Sequence, residues 1–191
     1  MPINVKSITV LAAVLACGRL QPSAFAASKD NALVKRGAYL VGLGGCIDCH
    51  TPLTMGANGP EKDMARGLSR HPEAVNMPMP PKLGNEWAWA GSATATAYTG
   101  PWRTTYAANL TPDRETGIGA WTKTYFIQTL RTGKHLGAAR PILPPMPWQA
   151  LSALPDNDLQ AIYAYLMAQP AVKNKVPDYA PPPNVTAKAG G

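Results

Sequence analysis

The chain has 191 residues, 15% charged and 46% hydrophobic, with 18 Lys+Arg against 11 Asp+Glu and a formal net charge of +7. So mild a basic excess excludes a nucleic-acid footprint, and the length fits one domain of ordinary size. Twenty prolines point to much loop, and three cysteines are too few for a disulfide framework once the N-terminal one is removed.

Residues 1–27 read as an export signal. Lys6 gives a positive start, a short apolar run leads from Ile8 to Cys17, and Ala24-Phe25-Ala26 resembles a small-residue cleavage site. The apolar run falls well short of the ~20 residues a membrane-spanning helix needs. Cleavage near Ala26 or Ala27 predicts a periplasmic protein. It removes Lys6, Arg19 and Cys17, so the net charge falls from +7 to +5 and only Cys46 and Cys49 remain. The rival reading takes Val14-Leu15-Ala16-Cys17 as a lipoprotein-type site that would leave Cys17 lipidated. Membrane association is expected only through such a lipid or through partners, since nothing later in the chain is long and apolar enough to span a bilayer.

Residues 33–45 predict a short helix, with Leu33, Val34, Gly37, Leu40, Val41 and Gly44 at roughly helical spacing. A glycine inside a helix costs about 1 kcal/mol relative to alanine. Gly37 therefore marks either close approach of another helix or a helix that frays. The helix delivers Cys46-Ile47-Asp48-Cys49-His50. Two thiols three positions apart on a helical turn lie about 5–6 Å apart at Cβ, a span that suits two thioether bonds to the vinyl groups of one haem. The adjoining His50 is then placed to bind the iron. A zinc site would need a second ligand pair, which is absent, and a thioredoxin-like redox pair would need a βαβ pattern, which is not found.

Residues 51–98 read as an extended, loop-rich insertion covering part of the haem. Met77-Pro78-Met79-Pro80-Pro81 blocks regular helix, and Trp87 and Trp89 alternate as in a short strand or a lid on an apolar surface. Residues 121–132 predict a helix with Trp121, Tyr125, Phe126, Thr129 and Leu130 on one face and Gly133 to end it. Arg131, Lys134 and Arg140 in or beyond its last turn are either a docking patch or, the favoured reading, complements to the helix dipole. Residues 154–168 predict the strongest helix: Leu159, Ile162, Tyr163, Leu166 and Met167 form a full apolar stripe, Pro155 and the acids Asp156 and Asp158 suit its start, and Pro170 stops it. Residues 171–191, proline-rich with little to bury, predict a loose or partner-bound tail.

The second axial position of the iron has several candidates: His71, His135, and the methionines at 55, 64, 77, 79, 146 and 167. Met167 belongs to a core stripe. Met55 and Met64 are too close to the motif to reach the far face easily. Met77 and Met79 sit in a proline-rich loop. Met146 stands in Leu143-Pro144-Pro145-Met146-Pro147-Trp148, where proline stiffens the backbone and limits the entropy lost on binding.

The stretches Ala108-Asn109-Leu110-Thr111-Pro112-Asp113, Thr116-Gly117-Ile118-Gly119-Ala120-Trp121, Pro145-Met146-Pro147-Trp148 and Asp158-Leu159-Gln160-Ala161-Ile162-Tyr163-Ala164-Tyr165-Leu166 bear a resemblance. With Arg36-Gly37-Ala38-Tyr39-Leu40 and the haem motif, they resemble one haem domain of the cytochrome c subunits of bacterial membrane-associated alcohol, gluconate and aldehyde dehydrogenases. The resemblance implies an all-α, cytochrome c-like fold over residues 28–170, a few helices around one covalently bound haem c, interrupted by the insertion. It implies Met146 as the distal ligand. It also lays the loop containing Asn109 against the haem, so that Asn109, neighbouring backbone groups, and Trp102 or Arg103 would hold the propionates. The plainer alternative makes Thr111-Pro112-Asp113 a turn and Arg103 a solvated charge. Two departures stand: such subunits carry three haem motifs where this chain has one, and they tend to end in a membrane-associating segment where this chain has a polar tail.

A haem iron held by His50 and Met146 leaves no open coordination site, so the expected activity is one-electron transfer, not catalysis by this chain alone. A periplasmic dehydrogenase is the expected donor, and another cytochrome or a terminal oxidase the acceptor. The alternative is an open iron for gas binding or peroxidase-like chemistry.

Overall fold

A computed structural model describes residues 24–80 and 82–179. Most of the expected signal, and the tail beyond Tyr179, lie outside the described residues. The described residues form five α-helices, α1 (Ala24–Leu43), α2 (Cys46–His50), α3 (Lys123–Thr132), α4 (Trp148–Ser152) and α5 (Asp156–Met167), with five short strands between α2 and α3: β1 (Leu53–Gly56), β2 (Gly59–Lys62), β3 (Ala90–Gly91), β4 (Ala97–Gly100) and β5 (Arg103–Tyr106). Among the described residues no helix is long and apolar enough to cross a membrane.

The frame is the packing of α1 on α5. Gly37 makes it possible: a Cβ there would collide with the Ala161 carbonyl and lie 2.6 Å from Tyr165 Cβ. The close-approach reading of Gly37 holds. Arg36 closes the edge of the same contact, its Nε and Nη2 donating to the two Asp158 oxygens at 2.9 and 3.0 Å. The apolar stripe on α5 does what its spacing predicts. Leu159, Ile162 and Leu166 are buried with Leu40, Val41, Leu68, Ile118, Phe126 and Leu130, while Tyr163 and Met167 pack against them partly buried.

The helix α3 starts two residues later than expected, because the Thr122 side chain caps it by accepting from the Tyr125 amide at 3.2 Å. It ends as expected at Gly133, in the left-handed conformation (φ 65°). Arg131 does not stand free for docking: it donates to the Ser152 carbonyl and pairs with Asp156 at 2.5 Å, tying α3 to the start of α5.

The all-α expectation needs correction, because residues 51–106 build two small antiparallel sheets, β1-β2 and β3-β4-β5. Gly56 pairs with Gly59 across the two-residue turn Ala57-Asn58, and Gly100 pairs with Arg103 across Pro101-Trp102. Threonine and tyrosine at 98, 99, 104, 105 and 106 favour strand through packing on a pleated surface. Trp87 and Trp89 form neither a strand nor a buried lid. They are 67% and 44% exposed, and Trp89 meets Tyr98 edge-on with ring centroids 5.6 Å apart.

The tail is docked as far as it is described. Asn174 is buried, donating from Nδ2 to the Ser69 and His71 carbonyls at 2.7 and 2.9 Å and accepting from the Glu73 amide at 2.9 Å. Val172 contributes main-chain groups to Thr111 and Asn109. Polar side chains hold this segment together with the buried Val176, and a hydropathy reading does not reveal the polar contacts.

Candidate metal centre

The turn carrying the motif is set by two glycines. Gly44 and Gly45 separate α1 from α2, and Gly45 adopts the left-handed conformation (φ 63°) that caps the start of α2. Lys62 on β2 holds the other end, donating from Nζ to the Ile47 and Asp48 carbonyls at 3.3 and 2.9 Å and pairing with the Asp48 carboxylate at 3.3 Å. The Ile47 carbonyl also accepts from the Thr51 amide at 3.1 Å, and a cation at this end complements the helix dipole. Cys46 and Cys49 are free thiols. Burial pushes the Cys46 thiol up from its ordinary value.

His50 is buried, and its Nδ1 lies 2.6 Å from the Ala108 carbonyl. A carbonyl only accepts, so Nδ1 carries the proton and Nε2 keeps its lone pair for a metal. Burial pushes the imidazole pKa down to about 4; the Ala108 carbonyl opposes this and Arg70 adds to it.

Cys49 and His50 open onto a mainly apolar cavity lined also by Ala108, Leu110, Ile118, Trp121, Phe126, Leu130, Leu143 and Met146. Tyr98, Thr105, Tyr106, His135 and Arg140 bring polar groups to it. The donor set therefore fits a haem c: a thiol and a neutral imidazole on one wall, a thioether and a second imidazole elsewhere, and aliphatic and aromatic surface between.

Among the candidate axial groups the structure discriminates. Both ring nitrogens of His71 have partners, Thr96 Oγ1 and the Val75 carbonyl, each at 3.0 Å, and the ring is buried away from the cavity. Met55, Met64 and Met79 are 77%, 64% and 92% exposed. Met77 lines an adjoining groove that shares Tyr98 and Tyr106 with the cavity, and Met167 packs on the core. Met146 and His135 remain.

Cys46, Asn109, Trp102 and Arg103 are not on the cavity wall; Cys46 packs partly buried against the core. Asn109 is buried, but its side chain clasps the tail: Nδ2 donates to Thr116 Oγ1 at 3.2 Å and the Val172 carbonyl at 2.9 Å, while Oδ1 accepts from the Thr111 amide and hydroxyl at 3.0 and 2.8 Å. Only its neighbours Ala108 and Leu110 reach the cavity. Trp102 folds over Gly100 at the β4–β5 turn, with Nε1 buried and unpartnered. Arg103 lines the adjoining groove together with Met77, Met79 and Asp178. What sequence reading missed is Arg70. Its amide donates to the His50 carbonyl at 2.8 Å, its Nη2 to the Tyr106 carbonyl at 3.2 Å, and its buried Nε has no partner. Burial pushes this guanidinium down to about 9 despite the opposing pull of Asp178, with Arg140 adding to the shift.

A Cys-x-x-Cys-His turn on the wall of an apolar cavity, with a proline-flanked methionine on the same cavity, is the site of a c-type cytochrome. No family model matches the chain. It is 32% identical over 163 residues to the cytochrome c subunit of the quinone alcohol dehydrogenase of Gluconobacter oxydans (strain 621H), covering 84% of this chain and 27% of that protein. It is 32% identical over 160 residues to the gluconate 2-dehydrogenase cytochrome c subunit of Pantoea cypripedii, covering 83% and 28%. It is 29% identical over 157 residues to the fructose dehydrogenase cytochrome subunit of Gluconobacter japonicus, covering 79% and 25%. The chain spans about a quarter of the length of these relatives. It is a c-type cytochrome resembling the cytochrome subunits of alcohol, gluconate and fructose dehydrogenases.

Proposed function

We propose that this chain is a periplasmic one-electron carrier with a single haem c, bonded through Cys46 and Cys49 and ligated by His50 and Met146. Its donor is a periplasmic dehydrogenase, and its acceptor another cytochrome or a terminal oxidase. The observation that carries the reading is that Cys49, His50 and Met146 line one apolar cavity while Ala108 fixes the His50 tautomer. The relatives' names, which describe cytochrome subunits of dehydrogenases, supply the partner class.

Bound there, haem supplies a reversible ferric–ferrous couple. The protein's part is to hold that couple at a useful potential. His50 stabilises either state, and the soft thioether of Met146 favours the ferrous one, which raises the potential. The apolar lining from Leu110, Ile118, Phe126 and Leu130 excludes water and disfavours the extra ferric charge. With both axial positions filled by the protein, no site is left for a substrate, so the chain acts as an electron-transfer subunit and not as a catalyst.

The test is spectroscopic. The exported protein should keep its pigment through acid-acetone extraction, show a thioether-to-ferric charge-transfer band, and bind carbon monoxide slowly without denaturant. Met146→Ala should lose the band and bind carbon monoxide rapidly. A second reading, in which His135 is the distal ligand, is favoured by its place on the same cavity. It requires the band to be missing from the parent protein, and rapid carbon monoxide binding in His135→Ala instead.

A further inference from the structure

Arg70 is out of place as an isolated charge. Its Nε is buried and unpartnered, and among the described residues it makes no ion pair. Such a guanidinium is costly unless an anion meets it. The groups around it deepen the problem: Arg70 acts electrostatically on His50, His71, His135 and Arg140, all of them bases. The acid that acts on it, Asp178, lines the adjoining groove with Arg103.

Arg70 does not itself line the cavity, but three observations place this charge beside it. Arg70 donates to the carbonyl of Tyr106, a residue of the cavity wall. Its amide is bonded to the His50 carbonyl, so its backbone is registered on the proximal histidine. Arg140, an exposed residue at the cavity, and Arg70 are close enough to repel. Arg70 also has φ 86°, a conformation that a non-glycine side chain holds only when its surroundings enforce it.

We infer that Arg70 and Arg140 form the seat for the haem propionates, with Arg70 as the partly buried anchor behind Tyr106 and Arg140 as the exposed partner on the cavity wall. This rests on the haem reading above and replaces Arg103 in the role expected from the sequence. Two carboxylates arriving with the cofactor would neutralise the two guanidiniums, and an arginine fork is the side chain best shaped for a carboxylate. Trp102 Nε1, also buried and unpartnered, is not part of the seat, since its indole is folded over Gly100 at the turn.

The experiment uses the exported holoprotein and the variants Arg70→Gln, Arg70→Lys, Arg140→Gln and Arg103→Gln. Covalent haem is scored first by the pyridine haemochrome spectrum; a parent without it overturns both this inference and the proposed function. Given haem, resonance Raman propionate bending bands and the reduction potential are measured. Arg70→Gln and Arg140→Gln should each shift the propionate bands and lower the potential, because removing a cation favours ferric iron. Arg70→Lys keeps the charge and loses the fork, so its bands should move while its potential stays near the parent's. If Arg70→Gln fails to mature, the exposed Arg140→Gln carries the same test. Propionate bands unchanged in the Arg70 and Arg140 variants, or moved by Arg103→Gln alone, overturn the seat while leaving the haem assignment intact.

Discussion

Gly37 on α1 lies directly against the main chain of Ala161 on α5, with no room between them for a methyl group. This contact sets how closely the helix that delivers the haem motif meets the helix that backs the cavity. Gly37→Ala gains about 1 kcal/mol of helix propensity, yet the new Cβ must push two backbones apart. The net expectation is a loss of about 1–3 kcal/mol, read as a lower denaturant midpoint of the holoprotein. An unchanged or raised midpoint would mean the helices separate freely.

The Asn174 side chain bridges the tail to the segment after the haem motif through two donated bonds and one accepted bond. Asn174→Ala strands buried carbonyls at Ser69 and His71 and should cost about 2–3 kcal/mol. The loss is expected to be local as well as global, so limited proteolysis should cut near residue 174 in the variant before it cuts the parent.

Lys62 satisfies the last carbonyls of α2 from a neighbouring hairpin. Lys62→Met keeps the aliphatic stem and removes the donor, at an expected cost of about 1 kcal/mol. Hydrogen exchange should register it as faster opening of the turn around Cys49 and His50, with the α5 amides little changed.

The Arg36–Asp158 fork gives stability an acid-side pH dependence. The hydrogen bond from Arg36 holds the Asp158 carboxyl below its ordinary value, against the small opposing effect of burial. A depressed folded-state pKa means the contribution is complete above the unfolded value of about 3.9. It is lost as pH falls through the lower folded value. Denaturation midpoints of the parent and Asp158→Asn should therefore differ at neutral pH and converge in acid. A constant gap would remove Asp158 from the acid transition.

Several of these features are legible in the chain as written. The α5 stripe, the Gly133 stop and the haem motif each depend on residues within one or two helical turns, so spacing alone exposes them. The β1–β2 hairpin had a local signal too: Asn58-Gly59 is a turn dipeptide, masked by the surrounding prolines and by the absence of a long alternating run. Trp87 and Trp89 misled because aromatic alternation suggests a buried face, while the fold offers them none.

The sequence by itself exposed the haem-attachment motif, since two thiols and an imidazole in five consecutive residues need no distant partner to be recognised. Only the tertiary structure decided which groups share the cavity with them. It kept Met146 and His135, spent His71 on Thr96 and Val75, turned Asn109 toward the tail and set Arg70 behind His50. Apart from the local His71–Val75 bond, those outcomes depend on contacts between residues 20 or more apart in the chain. Hydrogen bonding and charge at that range are fixed by how the elements pack, and periodicity carries no record of it.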